Sequence, residues 1–250
     1  MSTGGSDIGT FWDHLDELRS CIIRVILVTV VLAMIAFAFK STLFDVVLAP
    51  SRSDFISYRI LGVEPFTIRL MNTGLTEQFM IHIKVSCYCG LLFASPYVLY
   101  ALFGFVSPAL YANERRPAIT IVGSAYLMFL LGTAVNYFLV FPLTVKFLGT
   151  YQVSPDVTNM LTIQSYADTL ISMSLVLGVV FELPVVSWLL GRMGLIKWQQ
   201  MSKFRKHAIV VILIISAIIT PTTDAFTLFV VALPIFLLYE TSILIVRITG

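Results

Sequence analysis

Three stretches of this chain, residues 85–113, 117–145 and 169–191, hold one charged side chain between them, Glu182. Each exceeds the roughly 20 residues that a helix rising ~1.5 Å per residue needs to cross a ~30 Å hydrocarbon core. Only 12% of the 250 residues are charged, where a soluble domain carries about 25%. Too few charges exist to coat a water-soluble globule, so an ordinary soluble enzyme is excluded.

The pattern predicts an all-α, polytopic membrane protein, one domain over 1–250, with six spans at about 21–40, 79–103, 118–141, 166–190, 207–220 and 225–246. The fifth apolar run, about 18 Å long at helical rise, is too short to cross upright, and the fifth and sixth are expected to form a short, tight hairpin. Before the first span, Phe11, Leu15, Leu18 and Ile22 make one apolar stripe. With Thr10 and Asp13 as a capping pair, this predicts a separate surface helix that then turns into the membrane. Residues 41–76 read as a long loop with short helices of its own. Pro96 should kink the second span and leave a carbonyl for neighbouring helices to satisfy. The third span is expected to end at Pro142, and the fourth to be interrupted at Glu182 and Pro184.

Ten of the 16 Lys and Arg residues fall on the side of the chain start if six spans cross, which predicts both termini in the cytoplasm. The start does not read as a basic, cleavable leader, so the first span is expected to be retained. Cys21, Cys87 and Cys89 suit neither a disulfide framework nor a zinc knuckle and read as packing residues. A net charge of +2 gives no global field for nucleic acid.

No phosphate-binding loop, His-Glu-x-x-His or Gly-x-Ser-Gly is present, and His14, His82 and His207 lie far apart, so neither an enzyme nor a cofactor or metal is expected. What remains is acidic. Glu182 lies in an apolar span, where an ionised group costs on the order of 3 kcal/mol. It is either a hydrogen-bonded staple between helices or a polar site for a substrate, partner or proton. Asp13, Asp16, Glu17 and Glu114 gather on the face where bases are expected. They either receive a cationic peptide, since a guanidinium pairs bidentately with a carboxylate, or pair locally with Arg19, Arg115 and Arg116.

These residues also carry a family resemblance. His14-Leu15-Asp16-Glu17-Leu18-Arg19, Ala49-Pro50, Ser95-Pro96-Tyr97, the run from Phe105 through Ser107-Pro108-Ala109 to Glu114-Arg115-Arg116, Phe141-Pro142-Leu143, Phe181-Glu182-Leu183-Pro184 and Thr220-Pro221 with Asp224 resemble, in order, the TatC family. That resemblance implies the receptor of the twin-arginine translocase, a cupped six-helix fold in the inner (cytoplasmic) membrane. Its function is to bind twin-arginine signal peptides and to help export folded proteins with the proton motive force. It implies Glu17 and Glu114 as holders of the arginine pair, with Arg19 and Phe105 shaping that site. Pro50, Pro96 and Pro108 would fix the loop and the second span, Glu182 would be the intramembrane polar group, and Thr220, Pro221 and Asp224 would form the turn near which partners dock. TatA- and TatB-like single-span proteins and further copies of the chain are the implied partners. Cys21 and Leu228 depart from the family pattern.

A rival from another class is a small proton- or cation-coupled transporter that uses Glu182 with Lys84 and His82. The lack of an inverted repeat speaks against it.

Overall fold

The structure, a computed structural model, describes residues 6–62, 66, 68–106, 116–152, 154, 160–220 and 224–249, the side chains of 6–14, 105, 106 and 116–119 excepted. It is almost wholly helical and divides into two compact units, Met1–Lys40 with Ser86–Tyr126, and Ser41–Val85 with Leu127–Gly250.

In the first unit, α1 runs unbroken from Ser6 to Ala38. The expected surface helix and first span are thus one element, and Thr10 lies inside it instead of capping it. The cause is simple: residues 10–38 contain neither Gly nor Pro, so nothing interrupts the hydrogen-bond ladder. α4 (Glu77–Val106) contributes its second half to this unit. A Cβ on Gly90 would lie 2.6 Å from the Ala33 backbone nitrogen, so the two helices touch backbone to backbone, a contact typical of small residues in membrane interfaces. Pro96 removes the donor for the Leu92 carbonyl. The adjacent Ser95 hydroxyl donates to that carbonyl at 2.7 Å, so the helix heals its own gap and needs no neighbouring helix for it.

The second unit begins with α2 (Lys40–Leu48), a 3₁₀ turn at Ala49–Ser51 and α3 (Ile56–Ile60), the short helices expected of the loop. The third span does not stop at Pro142. α5 (Arg116–Val135) passes through a π turn at Asn136–Val140 into α6 (Phe141–Thr150). The π turn adds a residue ahead of Pro142 so that the chain continues as helix. The Phe138 carbonyl, which Pro142 cannot serve, accepts instead from the Ser57 hydroxyl. Two-residue strands β1 (Leu70–Met71) and β2 (Leu161–Thr162) pair in parallel, Leu70 opposite Leu161; no strand was expected.

α7 (Ile163–Val180) and α8 (Leu183–Arg192) are separated by Phe181 and Glu182, the expected interruption. α5 and α7 approach through glycines: a Cβ on Gly132 would meet the Leu177 carbonyl at 2.7 Å, and one on Gly178 the Phe129 ring at 2.7 Å. After α9 (Trp198–Lys203) come α10 (Arg205–Ile219) and α11 (Ala225–Thr249). α10 is short, as expected, at 15 residues, about 22 Å. α11 is not: it reaches 25 residues, because no breaker follows Pro234 and the helix runs three residues past Val246. Five helical stretches among the described residues are long and apolar enough to span a membrane, and α10 is the shorter sixth. Met173, Leu177, Val231 and Ile235 are almost wholly buried and form the core of this unit.

Candidate functional site

α1 presents Leu15, Asp16, Glu17 and Arg19 on exposed turns immediately before its apolar run. At ~100° per residue, Asp16, Arg19, Ser20 and Ile23 share one face, and together with Arg24 they line an open hollow. Arg24 Nε donates to the Ser20 carbonyl at 3.2 Å, which fixes one wall. Glu17 lies ~200° from Arg19 and so faces another direction; it is Asp16 that shares Arg19's face. The sequence placed Asp16 in the acidic cluster without singling it out, and the i, i+3 spacing was the signal available. Phe105 is in the last turn of α4, its side chain outside the described set. Glu114, Pro108 and Pro221 lie outside the described residues.

Glu182 occupies the break between α7 and α8. Pro184 has no N–H to offer the Val180 carbonyl, which is why the ladder opens here. The Glu182 carbonyl accepts from the Val186 amide at 2.9 Å, so α8 starts on it. Its side chain is half-buried, and Oε1 is shielded from solvent with no hydrogen-bond partner among the described residues. Ten residues separate Glu182 from Arg192, roughly 15 Å along the helix, half the thickness of a hydrocarbon core. A carboxyl at such depth is expensive unless it is met, and no described side chain staples Oε1. Ser216 Oγ in α10 and Thr227 Oγ1 in α11 are also buried without partners there.

The turn between α10 and α11 explains itself locally. Thr220 is buried and its hydroxyl donates to the Ser216 carbonyl at 3.0 Å. Asp224 Oδ1 accepts from the Thr227 amide at 2.7 Å, the contact of a helix N-cap. Asp224 therefore has a structural task whatever else docks nearby. Pro50 is buried, and its carbonyl lies 2.8 Å from the Tyr58 hydroxyl, which also approaches the Pro142 carbonyl at 2.9 Å. Burial pushes the Tyr58 phenol well above its ordinary pKa, so it remains a donor.

The residues of the transporter alternative are kept apart. The Lys84 ammonium is held by Asp168 at 2.7 and 3.0 Å. Lys84 is seven residues into α4 and Glu182 nineteen residues past the start of α7, two helices that begin at the same end, where Glu77 meets Gln164. That is a difference in depth of roughly 18 Å. Both Asp168 and Glu77 escaped the sequence reading. Glu77 is 7% exposed; its Oε2 accepts from the Gly74 amide (2.7 Å), the Thr73 amide (2.9 Å) and the Thr73 hydroxyl (3.2 Å), and its Oε1 from the Gln164 amide (3.2 Å). The Thr-Gly-x-x-Glu spacing held the local half of that signal.

Comparison with known proteins completes the picture. The family model described as Sec-independent protein translocase protein (TatC) matches residues 13–234. The Sec-independent protein translocase protein TatC of Desulforapulum autotrophicum is 34% identical over 96% of this chain and 85% of its own length. That of Aquifex aeolicus is 34% identical over 92% of each chain. A crystal structure of the twin arginine translocase receptor TatC superposes with a TM-score of 0.79 at 34% identity, covering 94% of this chain and 99% of that one.

Proposed function

The chain belongs to the TatC family of Sec-independent protein translocase proteins, and from that premise we propose that it is the subunit that binds twin-arginine signal peptides. It is a multi-pass membrane component of a translocase and not a catalytic enzyme. The observation that carries the reading is the exposed acidic turn at Asp16 and Glu17 on α1, in a chain with few charges to spare. A carboxylate there offers a guanidinium two acceptor oxygens, so one acid per arginine gives both charge and geometry. In this reading Glu17 and Glu114 take the arginine pair, while Arg19 and Phe105 shape the site. The termini then face the cytoplasm of a bacterial inner membrane, consistent with the bias of Lys and Arg.

Glu182 has the second role. A midplane carboxyl with an unserved oxygen suits a polar group on a TatA- or TatB-like helix that enters beside α7 and α8. Assembly of such partners with further copies of the chain builds the translocase, and the proton motive force drives folded cargo across. The deciding experiment is photocrosslinking of a twin-arginine signal peptide to membranes carrying the wild-type chain and the Glu17→Ala/Glu114→Ala variant. Crosslinking is expected to be lost in the variant and in a Lys-Lys signal; its persistence in the double variant overturns the carboxylate assignment.

A further inference from the structure

Between 183 and 223 the chain holds five Lys or Arg and no Asp or Glu. Arg192, Lys197, Lys203, Arg205 and Lys206 are all exposed, as is Arg247 near the end of α11. The ends of α8 and α11 are neighbours: a Cβ on Gly191 would lie 3.0 Å from the Val246 side chain, which brings Arg192 and Arg247 to one surface. α9 is fastened to the same place by the Tyr239 hydroxyl, which donates to the Met201 carbonyl at 2.8 Å.

The electrostatics of this surface are uncompensated. Among the described residues of this unit one acid, Glu240, pairs with the cluster, and it is taken by Arg205 at 2.8 Å. Two guanidinium groups rest on indole rings instead, Arg192 over Trp188 at 5.5 Å and Arg247 over Trp198 at 5.2 Å. A cation on an aromatic face keeps its charge and most of its donors. Exposed apolar side chains alternate with these cations: Met193, Leu195 and Phe204. Cations and indoles at the ends of membrane-length helices sit at headgroup level. Leu195 and Phe204 among them favour a partner with an anionic head and an apolar body. A soluble acidic peptide would leave that apolar surface wet.

We propose that Arg192, Lys197, Lys203, Lys206 and Arg247 form a docking surface for the phosphates of anionic phospholipids, with Trp188 and Trp198 orienting the two arginines. Lipid phosphate then supplies the counter-charge that the described residues of this unit do not, and ties the α8–α9 connection to the foot of α11. Each cation near an anionic surface contributes about a fivefold preference. This surface involves none of the residues assigned to signal binding, so the two readings stand or fall separately.

The test uses the full purified chain in mild detergent, titrated with phosphatidylglycerol or phosphatidylcholine, and reads retained lipid by native mass spectrometry and thermal unfolding. Phosphatidylglycerol is expected to be retained and to raise the melting temperature, phosphatidylcholine to do neither. Arg192→Gln/Arg247→Gln should cut retention more than tenfold, Arg192→Lys/Arg247→Lys should keep most of it, and Arg52→Gln on the loop should leave it unchanged. Equal retention of the two lipids by the wild-type chain overturns the proposal without recourse to any variant. So does undiminished retention in the Gln variant, or a stabilisation produced by soluble polyglutamate and not by phosphatidylglycerol, which would make the surface one for acidic protein.

Discussion

Two polar regions of the larger unit are built on opposite principles. Around Pro50 and Glu77, most of the acceptors that the prolines and the loop create are met: the Tyr58 hydroxyl lies between the Pro50 and Pro142 carbonyls, Ser57 serves Phe138, and Glu77 collects four donors, while Asn136 Oδ1 alone of the π turn stays unmet among the described residues. Aromatic rings close around it, Phe55 stacked on Phe138 at 5.9 Å and Tyr58 edge-on to Phe66 at 4.8 Å. At the α7–α8 break and on α10 and α11, by contrast, Glu182, Ser216 and Thr227 bury oxygens that nothing among the described residues meets. A saturated network gains rigidity from every member. An unsaturated one inside a membrane loses free energy unless another molecule completes it. The first region reads as scaffold; in the second, Ser216 and Thr227 are wholly enclosed, and the half-buried Glu182 is the group a partner can reach.

The contrast can be broken by mutation. The largest expected loss is Tyr58→Ala, about 3–5 kcal/mol of stability from a buried ring and its hydroxyl, read as a fall in the midpoint of denaturant unfolding in micelles. Glu77→Ala should lower the same unfolding midpoint by a smaller step, by leaving four donors without an acceptor, and Glu77→Gln should lower it less. Gly132→Ala should cost roughly 1–3 kcal/mol through its clash with the Leu177 backbone. Glu182→Leu is expected to change stability least, by under about 1 kcal/mol and toward greater stability, while abolishing export of a twin-arginine reporter that Glu182→Gln retains. Substantial unfolding of the Leu variant, or equal export from Gln and Leu, would place Glu182 in the scaffold and erase the distinction.

Much of this was written locally and could be read so. Apolar runs bounded by Arg, Lys, Gly and Pro located the helices, and Pro184 beside Glu182 located the break, because both act within a few residues. What escaped reading depends on partners far along the chain. Ser57 meets the Phe138 carbonyl that Pro142 leaves open from 81 residues away, so no local rule could tell that the helix continues there. Lys84 meets Asp168 and Glu77 meets Gln164 across similar distances. On α1, Glu17 and Arg19 looked adjacent in sequence, and only the helical turn separates their directions and gives Asp16 to Arg19. Phe105 was singled out by resemblance alone, a kind of knowledge that physical patterning does not supply, whereas Glu114 already stood out as an acid on a face expected to be basic.

The π turn at Asn136–Val140 sets the phase of everything that follows it. One additional residue in a turn rotates the downstream helix by about 100°. In α6, Phe141, Pro142, Thr144 and Val145 are buried because of that rotation. Deleting a single residue between 136 and 140 would leave composition and length almost untouched, yet swing those four side chains out of their buried positions, Phe141 away from Tyr166 among them. The inserted turn works as a dial, and its setting decides which side of the helix the rest of the protein can grip.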